Sequence, residues 1–398
     1  MKNQKILALL FIFWVFGCLL LLENNDLYIN QDAKYKRNTQ PLHLSNNFLT
    51  REWNYTWGGA EYDYAYGVAV DSLDNIYVTG DTSSFGALYL DIFLLKYNSM
   101  GVLQWNYTWG GAGKEYAYGV AVDSLDNIYV TGYTSSFGTL GEEICLLKFN
   151  SMGVLQWNYT WGGAGYDFAR GLTIDSSDNI YITGITESFG ALNGDICLLK
   201  FNSMGVLQWN YTWGGAGYDS ANGVALDSLG NIYITGVTDS FGVWDICLLK
   251  FNSMGVLQWN YTWGGAGSEF ALGLTIDSSD NIYITGSTSS FGALGSDICL
   301  LKYNAMGTLQ CNSTWGGTGN DSAYGVALDS LGNIYITGST SIGWDIFLVK
   351  FNDSTPLPDK EDPLVIILIA ILSTAAGIGV TAIAIGLLRK RKHAIPEE

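Results

Sequence analysis

The stretch "GVAVDSLDNIYVTGYTSSFGTLGEEICLLKFNSMGVLQWNYTW", Gly119 to Trp161, holds four runs rich in Val, Ile, Leu, Tyr and Trp, parted by turn-forming residues. None has helical periodicity, and β-branched and aromatic side chains dominate, as they do in strands. Between the first and second runs stands "DSLDN". Its fourth position is Asp74, Asp126, Asp178, Gly230, Asp280 and Gly332 in successive copies. Alternation of Asp with Gly marks a backbone site of positive φ. Between the third and fourth runs "NSMG" puts Asn first and Gly last, as a type I turn prefers. Both are hairpin signals, so the unit reads as a four-stranded antiparallel meander.

The unit returns with a step of 52 residues, and once of 50, between Trp209 and Trp259. First runs start at Gly67, Gly119, Gly171, Gly223, Gly273 and Gly325. The third run, "DIFLLKYN" and its variants, is apolar at odd and even positions alike, which fits a sheet covered on both faces. Six such meanders predict an all-β fold, a six-bladed β-propeller of four-stranded antiparallel blades, over residues 48–352.

The string "WNYTWGG" ends four units and, as "CNSTWGG" from Cys311, a fifth, but it also occurs at Trp53 with no strand before it, while the sixth unit stops at Asn352 without one. The segment Phe48 to Trp57 is therefore expected to supply the outer strand of blade six and close the ring. Closure of this kind leaves no bare edge where first and last blades meet.

The string "DSLGNIYITGST" and its siblings resemble the SBBP-type β-propeller repeat of secreted prokaryotic and archaeal proteins. The resemblance runs from Trp53 to about Asn352. It implies the propeller architecture and no particular activity. The C-terminal apolar run with a basic tail is similar to archaeal surface proteins.

Outside the repeats, residues 1–22 read as a signal peptide or uncleaved signal anchor: Lys2 and Lys5 precede an apolar run from Ile6 to Leu22. A lipid-modified cysteine at "VFGC" is a weaker reading, opposed by Phe16 and the leucines that follow. Residues 23–47 form a spacer and 353–363 a Pro- and Asp-rich linker. Residues 364–388 carry no charge and are long enough to cross a ~30 Å hydrocarbon core. The "RKRK" that opens the tail, 389–398, keeps that end cytoplasmic by the positive-inside rule. The expected topology is a single-pass cell-membrane protein with an extracellular propeller.

The chain carries a formal charge of -18, and residues 23–388 alone hold 13 basic and 35 acidic side chains. That field repels phosphate backbones, so nucleic acid is excluded as a partner, while cations and basic partners are favoured. Catalytic residue types are sparse. The two histidines, His43 and His393, lie outside the repeats, so no Ser-His, Cys-His or multi-His constellation is available within the ring. No cofactor and no metal loop is expected, since the "DxDxDG" spacing of a calcium loop is absent. "LLKFNSMGVLQW" resembles the strand-turn-strand of quinoprotein dehydrogenase propellers, but this chain has no vicinal cysteine pair. The reading is a non-enzyme.

Cys145, Cys197, Cys247 and Cys299 share the position of Phe93 and Phe347, which marks an apolar packing site with buried, inert thiols. Cys311 replaces a Trp in blade five, and a Cys299–Cys311 bridge is a candidate. Glycosylation sequons recur at Asn54, Asn106, Asn158, Asn210, Asn260 and Asn312, with others at Asn320 and Asn352.

Between copies, variation concentrates in the loop before the first strand and the loop after "TG", which open on one face of a propeller. The residue ahead of the leading Gly is Tyr66, Tyr118, Arg170, Asn222, Leu272 and Tyr324, and this irregular rim is the candidate ligand site. Just before it, every blade has a carboxylate: Asp63, Glu115, Asp167, Asp219, Glu269 and Asp321. A group repeated in all blades reads as architectural first and as a cation ring second. The second loop brings Phe85, Phe137, Phe189, Phe241 and Phe291, with Trp244 and Trp344 in its two shortest versions. The expected role is a membrane-held binding or adhesion module for a surface glycan or protein. A structural envelope component is the main rival and a quinoprotein-like enzyme the third reading.

Overall fold

A computed structural model describes residues 53–87, 89–139, 141–191, 193–340 and 345–352. The expected signal segment, spacer, linker, apolar span and tail lie outside the described residues, as does 48–52. Among the described residues no helix is long and apolar enough to cross a membrane.

Six antiparallel sheets follow one another, five of four strands and the last of three, each in simple sequential order. Blade two is representative, with strands Glu115–Val122, Ile128–Thr134, Glu143–Phe149 and Leu155–Trp161. Its third strand is buried over its first five residues, on both faces, as its unbroken apolar run requires. Adjacent blades share one core: Tyr77, Ile92 and Leu94 of blade one meet Ala117, Ile128, Val130, Cys145, Leu147 and Phe149 of blade two. The same pattern recurs at the next junctions. Cys145, Cys197, Cys247 and Cys299 are buried in these cores, and burial holds their thiols well above the ordinary thiol range.

The turns have the backbone that their residues predict. Asp74, Asp126, Asp178 and Asp280 adopt φ of 60–62°, and Gly230 and Gly332 stand at 76° and 80° in the same place. Gly101 N–H donates to Asn98 C=O at 2.8 Å, closing the second hairpin. The Asp that opens the first turn does more than cap it. Asp71 accepts from Leu73 N, Asn75 N, Asn75 Nδ2 and the Tyr77 hydroxyl at 2.8–3.0 Å. Burial raises its pKa, but these hydrogen bonds outweigh that and leave it depressed.

The "TG" glycine is also demanded by geometry. A Cβ on Gly132 would lie 1.7 Å from the Tyr116 carbonyl oxygen. The first strand presses its backbone onto the second here because it bulges: Ala117 pairs Gly132 and Gly119 pairs Thr131, which leaves Tyr118 without a partner in the ladder.

The ring closure expected from Phe48–Trp57 is made only in part. Trp57 sits between Phe85 and Phe93, with centroids at 4.9 and 4.8 Å, and Tyr55 stacks on Tyr97 at 6.4 Å. Trp109 and Tyr107 make the matching contacts with Phe137 and Phe149 of blade two. So residues 53–57 take the seat, relative to blade one, of a preceding outer strand. They form no ladder with blade six, whose sheet ends at its third strand, Ile346–Asn352. That correction shows in exposure. Ile346 and Leu348 are 86% and 58% exposed, against 1% for their counterparts Ile92 and Leu94. Across the gap Val68 is 68% exposed, and a cleft of about 240 Å³ opens beside Trp53, Trp57, Ile76 and Phe93. The aromatic seat uses neighbours in sequence, whereas pairing Thr56 with Phe347 joins points about 290 residues apart, a loop-closure cost higher by about 2 kcal/mol.

Candidate functional site

All six rim residues predicted from sequence are the bulge residues of their blades. Tyr66, Tyr118, Arg170, Asn222, Leu272 and Tyr324 each fall in the skipped position between an Ala and the leading Gly. A bulge residue is released from the alternation of the pleat and re-aimed. This explains why the position varies while its neighbours do not. Several of these side chains meet across blade boundaries. Tyr66 and Tyr118 have ring centroids 5.3 Å apart. Arg170 Nη1 donates to Asn222 Oδ1 at 2.9 Å, and Asn222 Nδ2 donates to Ala271 C=O at 2.7 Å. Tyr324 instead shares a hydrogen bond with Ser339 of its own blade, at 3.1 Å.

The repeated carboxylates are latches. Glu115 accepts from Gly111 N, Thr134 Oγ1 and Ser136 N at 2.9–3.1 Å. Asp63, Asp167, Asp219, Glu269 and Asp321 each accept from the second glycine of the preceding "WGG" in the same way. Glu115, Asp167, Asp219, Glu269 and Asp321 are buried. They tie the end of one blade to the start of the next. The loop phenylalanines pin the same joint: Phe85, Phe137, Phe189, Phe241 and Phe291 pack on Trp57, Trp109, Trp161, Trp213 and Trp263 at 4.7–5.3 Å.

What is left for binding is unequal between blades. Tyr62, Tyr64 and Tyr66 stack along the first strand of blade one, at 6.1 and 6.5 Å. Through Tyr118 this row continues to Tyr116, Tyr133, Phe168 and Tyr166 in blades two and three. Beside it Ser135, Ser136, Phe137, Thr139, Glu142 and Tyr166 line an open polar cleft of about 360 Å³. Burial raises the pKa of Glu142, partly offset by Lys114.

One position escaped the sequence reading. The residue after "TG" is Asp81, Tyr133, Ile185, Val237, Ser287 and Ser339, and in the first two blades it pairs with a ring of the row, Asp81 with Tyr64 and Tyr133 with Tyr116. Its signal was there, since it changes in nearly every copy. Asp81 is 1% exposed, its Oδ1 has no hydrogen-bond partner, and desolvation lifts its pKa to about 6, against a hydrogen bond from Tyr66. Burial also raises the Tyr66 hydroxyl to about 12, with Asp81 adding to the shift.

Other predicted sites fall elsewhere. Asn106, Asn158, Asn210, Asn260 and Asn312 are exposed on the outer strands, and Asn54 and Asn320 are exposed too. The Asn352 side chain lies outside the described residues. The candidate bridge is corrected. Cys299 stands opposite Thr314 and Cys311 opposite Lys302, and no disulfide joins them. Three residues of strand separate the two positions, roughly 10 Å, beyond the ~7 Å that a disulfide spans. Both histidines, His43 and His393, and Trp344 lie outside the described residues. Among the described residues no group of three or more His, Cys, Asp or Glu is placed to hold a metal ion.

The SBBP β-propeller repeat family matches six times, at residues 57–86, 109–138, 160–188, 212–242, 267–292 and 315–343. No curated protein matches the chain. Among solved structures, a putative 6-phosphogluconolactonase from Bacteroides uniformis is 14% identical, with 73% of this chain and 82% of that one covered and a TM-score of 0.48. PorZ, a surface component of the type-IX secretion system of Porphyromonas gingivalis, is 13% identical over 77% of this chain and 44% of its own, with a TM-score of 0.47. The β-propeller domain of the Trilobed protease from Pyrococcus furiosus, described as having an open velcro topology, is 9% identical over 74% and 83%, with a TM-score of 0.44. Each unit matched by the family coincides with one blade boundary and the two inner strands that follow it, and the chain is a six-bladed β-propeller protein of the SBBP repeat family.

Proposed function

We propose that this protein is a cell-surface binding module that engages a surface glycan or protein through the loop end of blades one to three. It is held at the membrane by residues 364–388, with the propeller outside. The supporting observation is the aromatic row from Tyr62 to Tyr166. Every blade has the same packing to satisfy, yet blades four and five carry Ser220 and Asn222, or Phe270 and Leu272, at the equivalent inner-strand places. A difference that the fold does not require is the mark of a specific surface. Chain direction supports the orientation. The third strand of blade six runs from the loop end to the turn end and stops at Asn352, so the tether leaves from the side opposite the site. With the linker of 353–363, the rim would face away from the membrane.

The test uses the full-length chain on arrays of glycans and of surface proteins. Discrete binding is expected for the wild type and at least a tenfold loss for Tyr118→Ala combined with Arg170→Ala. Undiminished binding by the double variant would remove the rim from this role.

A structural envelope component is the second reading, favoured by the turn end. There Met100, Met152, Met204, Met254 and Met306 are exposed, with Leu73, Leu125, Leu229 and Leu331. Self-association that persists in the rim variant, and is lost when these methionines become serine, would favour it.

A further inference from the structure

We infer that the junction of blades one and two is a receptor for an ammonium group, the lysine side chain of a protein partner, with Asp81 as counter-charge and Tyr66, Tyr116 and Tyr118 as walls. This rests on the binding-module reading and names the chemistry of its ligand.

The first ground is an uncompensated acid. A buried carboxylate is costly unless it is paired or fully hydrogen-bonded. The repeated acids meet that demand through glycine amides and hydroxyls, as Glu115 does. Asp81 does not, because its Oδ1 has no partner although the side chain is buried. Partnerless oxygens on Asp91, Asp219, Asp245 and Asp297 are a different case, since those residues flank the first glycine of "WGG" at successive blade junctions and recur from blade to blade. No other blade has an acid where Asp81 stands. Tyr, Ile, Val and Ser serve there, so the fold does not ask for one.

The second ground is what surrounds it. Asp81 holds in blade one the place that Tyr133 holds in blade two, where the side chain meets two rings of its own first strand and one of the next blade. Its charge acts on the hydroxyls of Tyr66, Tyr116 and Tyr118. Tyr66 and Tyr118 are tilted at 47° to each other, and Tyr116 stacks on Tyr118. Ring faces attract a cation, and most strongly where water is excluded. Asp63 adds negative charge nearby. Arg170, whose charge reaches Tyr118, is already engaged with Asn222. The half-exposed Tyr66 is the member of the cage with room to swing aside and admit a slender side chain. A lysine fits that description: its charge is compact and its stem is narrow.

Full-length protein in detergent would be titrated with Nα-acetyl-lysine methylamide, followed by saturation-transfer NMR. The norleucine analogue, which keeps the stem without the charge, and glucosamine, an ammonium on a sugar, are the comparison probes. The lysine probe should bind, with the other two at least tenfold weaker. Asp81→Ser, which installs the residue of blades five and six, should lose at least tenfold with an unchanged far-UV spectrum. Tyr118→Leu should weaken binding as well. Equal binding by Asp81→Ser, preference for glucosamine, or silence of the lysine probe on the wild type would overturn the inference. If the lysine probe fails while the Tyr118/Arg170 variant still loses its surface partner, the inference falls and the proposed function stands. A lysine probe that binds with no surface partner found on either array reverses that outcome.

Discussion

Tyr66 and Tyr118 face each other across the first blade boundary with ring centroids 5.3 Å apart, and both reach that place because a bulge has pushed them out of register. The relationship separates two demands that usually conflict. The ladder around each tyrosine keeps the blade intact, while the ring itself is free of core packing.

Rim changes should therefore cost function and little stability. Tyr118→Ala with Arg170→Ala is expected to move the unfolding free energy by about 1 kcal/mol or less, as surface substitutions do, while ligand capture falls tenfold. Chemical denaturation beside the binding assay checks this. A collapse in stability of several kcal/mol would place the bulge residues in the core after all.

The "TG" glycine is the opposite case. Gly132→Ala puts a methyl group 1.7 Å from the Tyr116 carbonyl oxygen, on backbone that cannot yield without undoing the bulge. A loss of about 2 kcal/mol or more is expected. Gly332→Ala is the control. Nothing lies within 4 Å of the added carbon, and only its φ of 80° is penalised, so a loss of about 1 kcal/mol should result.

Ring closure can be caught chemically. In blades two to five the third-strand Cys faces a Thr of the outer strand, as Cys145 faces Thr160. The equivalent pair at the ring junction is Phe347 with Thr56. Phe347→Cys restores a residue the blades already use, and Thr56→Cys supplies the partner. Since Trp53–Trp57 forms no ladder with blade six, mild oxidation should leave both thiols reduced, and an intrachain bridge would show that the segment completes that blade. Two thiols that stay reduced, or that link separate molecules, would show the segment remaining on blade one.

The acid at the rim carries a pH signature. Asp81 has its folded pKa raised to about 6, above the ~3.9 of an unfolded chain. Its contribution to stability is therefore fully present below about pH 4 and is lost as pH rises through 6. Asp81→Ser should melt higher than the wild type at pH 8, and the difference should shrink as pH falls to 4. A difference that is flat across this range would mean that Asp81 is not desolvated in the folded protein.

The propeller was legible because each blade repeats local rules. Asp74 and Gly230 exchange at one position because a positive φ is a property of the turn alone, and the third strand is apolar throughout because both its faces are covered in blades one to five. The latch role of Glu115 was half legible, since repetition marks architecture without naming the glycine amide it holds. Asp81 and the Cys311 register were not legible. Each depends on which residue of another strand stands opposite, and one bulge shifts that count by a place.

The sequence alone thus determined the repeat, the strands, their turns and the number of blades, since these arise from short-range conformational preference and burial pattern. Tertiary structure alone decided that the rim residues are bulge residues, that the aromatic row spans only three blades, and that the segment 53–57 seats on blade one without sealing blade six. Those features are set by contacts between chain segments 50 to about 290 residues apart, where packing and loop-closure entropy settle the outcome.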